Sequence, residues 1–357
     1  MIRGTTAASN VRTAWPGPSV PSPLWLVLVS GLVLAVGCAV GDEGSVTAPY
    51  DLPGAGGGTS SGQQGGDAGH LGQVDPGSLG TGGTDEDGCA KVDFLFVVDN
   101  SPSMSARQDA LIASFPGFMG AIEGTLQGTD HHIMVVDTDD AINCPDHYCA
   151  ADVCSTYACQ TVFDSCDSTI GAGVIRPAGA HASNMLCPVA GGHRYMVEGQ
   201  PDLADTFSCL ARVGTSGQTV ERPIDSLRAA VSVPLNDPSG CNAGFLRDDA
   251  ILVVTFISDD PNYEDADTPA DWYDDLVQAK GGNAEAIVVL GLTPSFDDCF
   301  HDWSQLTKGA HWSEFIALWG SRGLEASVCS PSYTQFFQQA VSIIDDTCDN
   351  FVPPPPR

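Results

Sequence analysis

One short segment of the chain combines a carboxylate and two hydroxyls at alternate positions. Asp99, Ser101 and Ser103 follow a run of apolar residues, and Pro102 lies between the serines. Alternate residues of an extended segment point to the same side, and proline restricts its own backbone and that of the residue before it. Because hard oxygen donors suit Mg²⁺, Mn²⁺ or Ca²⁺ better than zinc or copper, the spacing predicts a divalent-cation site. The alternative interpretation is that Asp99 and Ser103 only cap a helix.

The apolar run before Asp99 predicts the element that positions it. Residues 92–98 are almost continuously apolar, which is typical of a parallel strand buried on both faces. Similar runs predict further strands at 133–136, 251–257 and 286–290. Helical patterns fall at about 203–212, 221–232, 269–279 and 332–346. This alternation predicts an α/β fold with a doubly wound, mostly parallel sheet, whose binding site lies outside the carboxyl ends of the strands.

A helix is also expected directly after the hydroxyl segment. Apolar residues recur there at spacings of four, three and four, at Leu111, Phe115, Phe118 and Ile122. Pro116 predicts that this helix bends or restarts. Ser103 is the expected cap of this helix, and Ser332 is the expected cap of the last one.

Residues 141–209 interrupt the alternation with a cysteine-rich segment. Long apolar runs are scarce in it, and its cysteines are Cys144, Cys149, Cys154, Cys159, Cys166, Cys187 and Cys209. A disulfide-stapled insertion is one explanation. A zinc site that includes His147 is the other, but the paired C-x₂-C spacing of structural zinc sites is missing. We therefore expect a disulfide-linked insertion within the α/β fold.

The motif at Asp99 resembles the metal-ion-dependent adhesion site (MIDAS) of the von Willebrand factor A (vWA) family. In that family an Asp-x-Ser-x-Ser motif follows the first strand, and Asp99, Ser101 and Ser103 match all three positions. The similarity extends from Cys89 to Phe351 and is greatest to bacterial members anchored as lipoproteins. It implies a vWA-type α/β domain that holds Mg²⁺, with Ca²⁺ or Mn²⁺ as alternatives.

The resemblance implies two further ligands and a kind of partner. One is a threonine from a loop before a later helix, for which we assign Thr215, with Thr219 as the alternative because it lies nearer the helix. The other is the aspartate that closes the fourth strand, which corresponds to Asp259. Ser258 and Asp260 replace the threonine and glycine that commonly flank it. In the family an open metal position accepts a carboxylate of a protein partner, so we expect such a partner here.

The cysteines at the two ends of the predicted domain suggest a disulfide that joins those ends. Cys89 precedes the first strand and Cys348 follows the last helix, and we predict that they join as in some exported vWA domains. The expected organisation is then a lipoprotein signal peptide at 1–37, a lipid-bearing Cys38 with a Gly-rich linker at 38–88, a vWA-like domain at 89–351 and a Pro-rich tail at 352–357.

The amino terminus predicts export. Arg3 and Arg12 precede an apolar run at 24–36 that ends in Gly37 and Cys38, which resembles a bacterial lipobox before an acylated cysteine. An uncleaved membrane anchor is the alternative. Of 13 cysteines, lipidation of Cys38 leaves an even number for disulfides. Residue 39 is not the aspartate associated with inner-membrane retention, so we expect a lipoprotein of the cell envelope, at the outer membrane.

The composition of residues 41–88 predicts a tether, and the net charge of the chain limits the kinds of partner. This stretch holds 16 glycines and no lysine or arginine, so it cannot bury enough surface to fold and predicts a flexible tether. The whole chain carries a net charge of −31, which excludes nucleic acid as a partner. A metal-free structural envelope protein of the same fold remains an alternative.

Enzyme motifs give little support for catalysis. No H-E-x-x-H or P-loop spacing occurs, and the one G-x-S-x-G match, at 58–62, lies in the linker without a preceding strand. We therefore expect a binding protein and not an enzyme. A secreted metal-assisted hydrolase that uses His131 or His301 as a base is the alternative.

Overall fold

The computed structural model describes residues 89–142, 156–218, 221–262, 265–296, 299 and 309–355. The predicted signal peptide, Cys38 and the Gly-rich stretch lie outside the described residues, as do Cys144, Cys149, Cys154, Thr219 and His301. All of the described residues belong to one compact unit. None of the described helices is both long and apolar enough to cross a membrane.

Six strands form one mixed sheet among the described residues. They are β1 (Lys91–Val98), β2 (Asp130–Val136), β3 (Met196–Val197), β4 (Ile251–Ile257), β5 (Ile287–Thr293) and β6 (Gly323–Ser327). The order across the sheet is β3-β2-β1-β4-β5-β6, and every neighbouring pair is parallel except β2 and β3. The predicted α/β fold with a mostly parallel sheet is confirmed.

Helices cover both faces of this sheet. The described helices are α1 (Ser105–Thr125), α2 (Thr156–Gln160), α3 (Leu203–Ala211), α4 (Pro223–Ala230), α5 (Val233–Asn236), α6 (Pro269–Ala279), α7 (Ala310–Ala317) and α8 (Thr334–Asn350). Phe94 and Phe96 of β1 point to the core under α1, α3 and α8. Leu95 and Val97 point to the core on the other face, under α4, α6 and α7. β1 is therefore buried on both faces, as its apolar run predicts.

Three details of the helices differ from the sequence prediction. α1 continues through Pro116 without a break, because this proline lies on the exposed face, where losing one backbone hydrogen bond disturbs no packing. The residue that caps α1 is Met104 and not Ser103, whose hydroxyl is used elsewhere. The residue before α8 is Tyr333, although Ser332 Oγ does accept a 3.3 Å hydrogen bond from the Thr334 amide.

Disulfides join distant parts of the described chain. Cys89 and Cys348 are paired with their Cα atoms 4.6 Å apart, across 259 residues of sequence. The other described pairs are Cys166–Cys241, Cys187–Cys209 and Cys299–Cys329. The end of the predicted insertion is part of the main fold, since Phe207 of α3 stacks on Phe115 of α1 in the core.

Candidate metal centre

The carboxyl ends of β1 and β4 bring the predicted site residues together. Val98 pairs with Ile257 in the sheet register, and the Asp99 amide donates a 3.0 Å hydrogen bond to the Ile257 carbonyl. Asp99 and Asp259 therefore leave adjacent strands at the same level. The Asp99 carboxylate is fully buried and accepts 2.7 Å hydrogen bonds from the Ser101 amide and the Ser258 hydroxyl.

Hydroxyl groups link Ser101 and Ser103 to Asp259. Ser101 Oγ lies 3.2 Å from Ser103 Oγ, and Ser103 Oγ donates a 2.8 Å hydrogen bond to Asp259 Oδ1. The second oxygen of that carboxylate, Asp259 Oδ2, is buried and has no hydrogen-bond partner. Asp99 is thus connected through the Ser101 amide to a chain of oxygens formed by Ser101, Ser103 and Asp259, and one carboxylate oxygen is left for a further ligand.

The Thr215 loop lies against this group through its backbone. The Gln108 amide group donates to the carbonyls of Asp99, at 3.1 Å, and of Gly214, at 2.7 Å. The Gly217 amide donates a 2.9 Å hydrogen bond to the carbonyl of Asn100. The Thr215 hydroxyl itself donates to the Ala180 carbonyl at 3.3 Å, which leaves its lone pairs for other contacts. The structure places the Thr215 loop beside Asp99, and the choice between Thr215 and Thr219 stays a prediction.

Burial and like charge raise the pKa values of the acids at this edge. Burial raises the pKa of Asp99 to about 7, and repulsion from Asp259 adds to the effect. Burial, with repulsion from Asp99, also raises the pKa of Glu221 to about 9. Burial likewise raises the pKa of Asp139. Among the described residues, no lysine or arginine forms an ion pair with Asp99 or Asp259.

A supporting layer of polar residues was not predicted from the sequence. Asn100 donates to Asp139 at 3.3 Å and accepts from the Thr138 hydroxyl at 3.1 Å. Thr138 also contacts a carboxylate oxygen of Glu221. The signal in the sequence is the group Asp137-Thr138-Asp139-Asp140 directly after the β2 strand, which lies at the same sheet edge because β2 runs parallel to β1.

The donor set fits a hard divalent cation. Two hydroxyls and two carboxylates converge, one carboxylate oxygen is buried without a partner, and oxygen is the atom that Mg²⁺ and Ca²⁺ prefer. Among the described residues, no group of three or more histidine, cysteine, aspartate or glutamate side chains is arranged to hold a metal. The group at Asp99 contains only two carboxylates, so its remaining donors are hydroxyls.

Two comparisons of the sequence with known proteins gave no match. No family model matches the chain. No curated protein matches it either. The described residues define a class: an α/β protein with a mostly parallel sheet, six-stranded over these residues, and a cluster of carboxylates and hydroxyls at its carboxyl edge.

Proposed function

We propose that the protein is an exported, membrane-anchored lipoprotein that presents a vWA-type domain for divalent-cation-dependent binding of another protein. The observation that carries this proposal is the group formed by Asp99, Ser101, Ser103 and Asp259, with Asp259 Oδ2 buried and unpaired. The position of this group at the ends of two adjacent central strands is where open α/β sheets bind ligands.

Each residue of the site has a distinct task in this proposal. Ser101 and Ser103 supply neutral oxygens, which leave most of the charge of a bound cation uncompensated. Asp259 accepts from the Ser103 hydroxyl and Asp99 accepts from the Ser101 amide, and both supply negative charge from the two strands. A divalent cation bound there, Mg²⁺ first and Ca²⁺ or Mn²⁺ as alternatives, offers an open position for the carboxylate of a protein partner.

The anchor and the tether belong to the same proposal. The apolar leader that ends at Cys38 supports export and lipid attachment at the outer membrane. The Gly-rich linker gives a mean span of about 40 Å, by the scaling of flexible chains, between the anchor and the domain. A binding domain on such a tether reaches partners near the membrane surface.

Calorimetry with divalent cations tests the site. We expect Mg²⁺ to bind the full chain with measurable heat, and Asp99→Ala and Ser103→Ala to remove it. The matched control is Asp274→Ala, which removes an exposed carboxylate from α6. Absence of heat with Mg²⁺, Ca²⁺ and Mn²⁺, or equal heat in wild type and Asp99→Ala, would falsify the proposed site. Capture of a partner with and without a chelator then tests the binding function.

The hydrolase alternative has a geometric difficulty. His131 pairs in register with Val92, at the amino end of β1, whereas Asp99 follows the carboxyl end. Seven residues of strand separate the two levels, about 20 Å at the usual rise per residue. Burial also lowers the pKa of His131. His131 therefore lies too far from Asp99 to act as a base there, and His301 lies outside the described residues.

A further inference from the structure

Arg107 is one of two described arginines that form no ion pair, and it follows the candidate cation-site residue Ser103 by four positions. It lies in the first turn of α1, about one turn after Ser103. Its Nη2 donates a 3.5 Å hydrogen bond to Cys329 Sγ, and its Nε is buried without a partner. Six other described arginines form ion pairs with carboxylates, namely Arg176, Arg194, Arg212, Arg222, Arg228 and Arg247. Among the described residues, Arg107 forms none.

This isolation is unexpected in so acidic a protein. Aspartate and glutamate outnumber lysine and arginine by 45 to 14, so carboxylates that could pair with Arg107 are abundant. The first turn of a helix also disfavours a cation, because the helix dipole is positive there. No acidic residue occupies that turn of α1 to offset it. Nothing in the described fold therefore explains a partly buried guanidinium without a carboxylate.

The surroundings of Arg107 connect it to the site. The fully buried Tyr333 senses both charges: burial raises its pKa, Arg107 acts to lower that pKa, and Asp259 acts to raise it. Both charges therefore lie within electrostatic reach of the same phenol. The Cys329 sulfur that the guanidinium contacts is itself bonded to Cys299, so a disulfide positions this partner of Arg107.

We infer that Arg107 forms an anion subsite next to the cation site and receives a second carboxylate of an acidic partner segment. This inference rests on the proposed function, since the first carboxylate is the one that completes the shell of the cation. A guanidinium presents paired donors that match the geometry of a carboxylate. A protein of net charge −31 repels an acidic partner at long range. The positive charge of the guanidinium reduces this repulsion at the site. Asp99 and Asp259 offset the charge of the cation, and Arg107 adds a positive charge next to it.

A series of small carboxylates tests the subsite in the full chain. The probes are malonate, succinate, glutarate and adipate, with butyrate as the monocarboxylate that matches glutarate, and binding is measured by calorimetry at fixed free Mg²⁺. We expect the best-fitting dicarboxylate to bind at least tenfold more tightly than butyrate, and only with Mg²⁺ present. In Arg107→Gln this tenfold preference is lost, and in Arg107→Lys part of it returns, because lysine keeps the charge but not the paired donors.

The control and the contrary outcomes separate the two proposals. Arg322→Gln is the matched control, because Arg322 is the other described arginine that forms no ion pair and its Nε is also buried without a partner. It should keep the dicarboxylate preference. Intact Mg²⁺ heat with an unchanged preference in Arg107→Gln overturns the anion subsite alone. Absence of Mg²⁺ heat in wild type overturns the proposed function, and the subsite with it.

Discussion

Asp93 and Asp99 lie on the same strand, and both are fully buried, but their surroundings are opposite in kind. At the amino end of β1, Asp93 accepts hydrogen bonds from the side chain of Arg247, at 2.7 Å, and from its amide, at 2.8 Å. Burial raises the pKa of Asp93 to about 6, and the charges of Arg247 and Lys280 act to lower it. At the carboxyl end, Asp99 accepts from a hydroxyl and an amide, and the charge that acts on it most is that of Asp259.

The difference separates a structural acid from one available to a ligand. A buried carboxylate needs a cation, a metal or a proton. Arg247 meets this need for Asp93 within the protein itself. For Asp99 the protein offers no cationic side chain among the described residues, and burial raises its pKa to about 7, against about 6 for Asp93. The amino edge of the sheet is therefore internally compensated, whereas the carboxyl edge leaves negative charge for a cation from outside.

The largest expected effect on stability comes from removing the disulfide at the amino edge of the sheet. Replacing Cys89 and Cys348 together by serine opens a link across 259 residues, which the chain-entropy model equates with a loss of roughly 5 kcal/mol in the free energy of unfolding. Mg²⁺ affinity should remain unchanged, because the link lies at the edge opposite the site. Chemical denaturation and calorimetry measure the two quantities.

The Cys187–Cys209 pair is the control for that experiment. It spans 22 residues, so its replacement should lower the free energy of unfolding by only about 3 kcal/mol on the same model. Equal losses for the two pairs would contradict the loop-length explanation. A loss of Mg²⁺ binding in the Cys89 and Cys348 variant would contradict the separation of the two edges.

The next effect concerns the compensated acid. Arg247→Ala removes the partner of a buried carboxylate, so we expect the free energy of unfolding to fall by about 3 to 5 kcal/mol. Lys91→Ala is the matched control, because its ion pair with Asp249 is largely exposed and should contribute about 1 kcal/mol or less. A loss for Arg247→Ala no larger than for Lys91→Ala would mean that Asp93 does not depend on its arginine.

The pH dependence of stability tests whether the pKa of Asp99, the acid without a cationic partner, is raised. The pKa of Asp99 rises from 3.8 to about 7 on folding, so the folded protein holds this proton more tightly than the unfolded chain. Its contribution to stability is then greatest at low pH and declines as the pH rises from about 4 to about 7. Between pH 5 and pH 8 in the presence of a chelator, the free energy of unfolding of Asp99→Asn should fall by about 2 kcal/mol less than that of wild type.

The same measurement with Mg²⁺ sharpens this result. A cation at the site favours the charged form of Asp99, so saturating Mg²⁺ should reduce the decline in wild type and leave Asp99→Asn unaffected. Urea denaturation at several pH values measures the slopes. Identical slopes for wild type and Asp99→Asn in the chelator would show that Asp99 is ionised without a raised pKa.

The sequence predicted the regular parts of this molecule because local patterns encode them. The apolar run before Asp99 identifies β1, and the run before Asp259 identifies β4. The edge strands escaped prediction: β3 has two residues, and β6 is mostly half-buried and lacks an apolar run. The support by Asn100, Asp139 and Glu221 could not be predicted, because it depends on contacts between residues 39 to 83 positions apart.

The smallest expected effect tests whether the Thr215 loop belongs to the carboxyl edge. A methyl group added at Gly217 would lie 2.2 Å from Asn100 Oδ1 and 2.8 Å from the Asn100 carbonyl, so the loop or Asn100 must move. We expect Gly217→Ala to lower the free energy of unfolding by about 1 to 3 kcal/mol. It should also weaken Mg²⁺ binding in calorimetry, because Asn100 lies between Asp99 and Ser101, the first two proposed ligands.

Gly124→Ala is the matched control, since nothing lies within 4 Å of its added methyl group. Alanine is favoured over glycine in a helix by up to about 1 kcal/mol, so this variant should be slightly more stable and bind Mg²⁺ as wild type does. If Gly217→Ala lowers stability but leaves Mg²⁺ affinity intact, the loop packs against the site without shaping it. Thr215 would then lose its assignment as a ligand, because its loop could shift while the cation stayed in place.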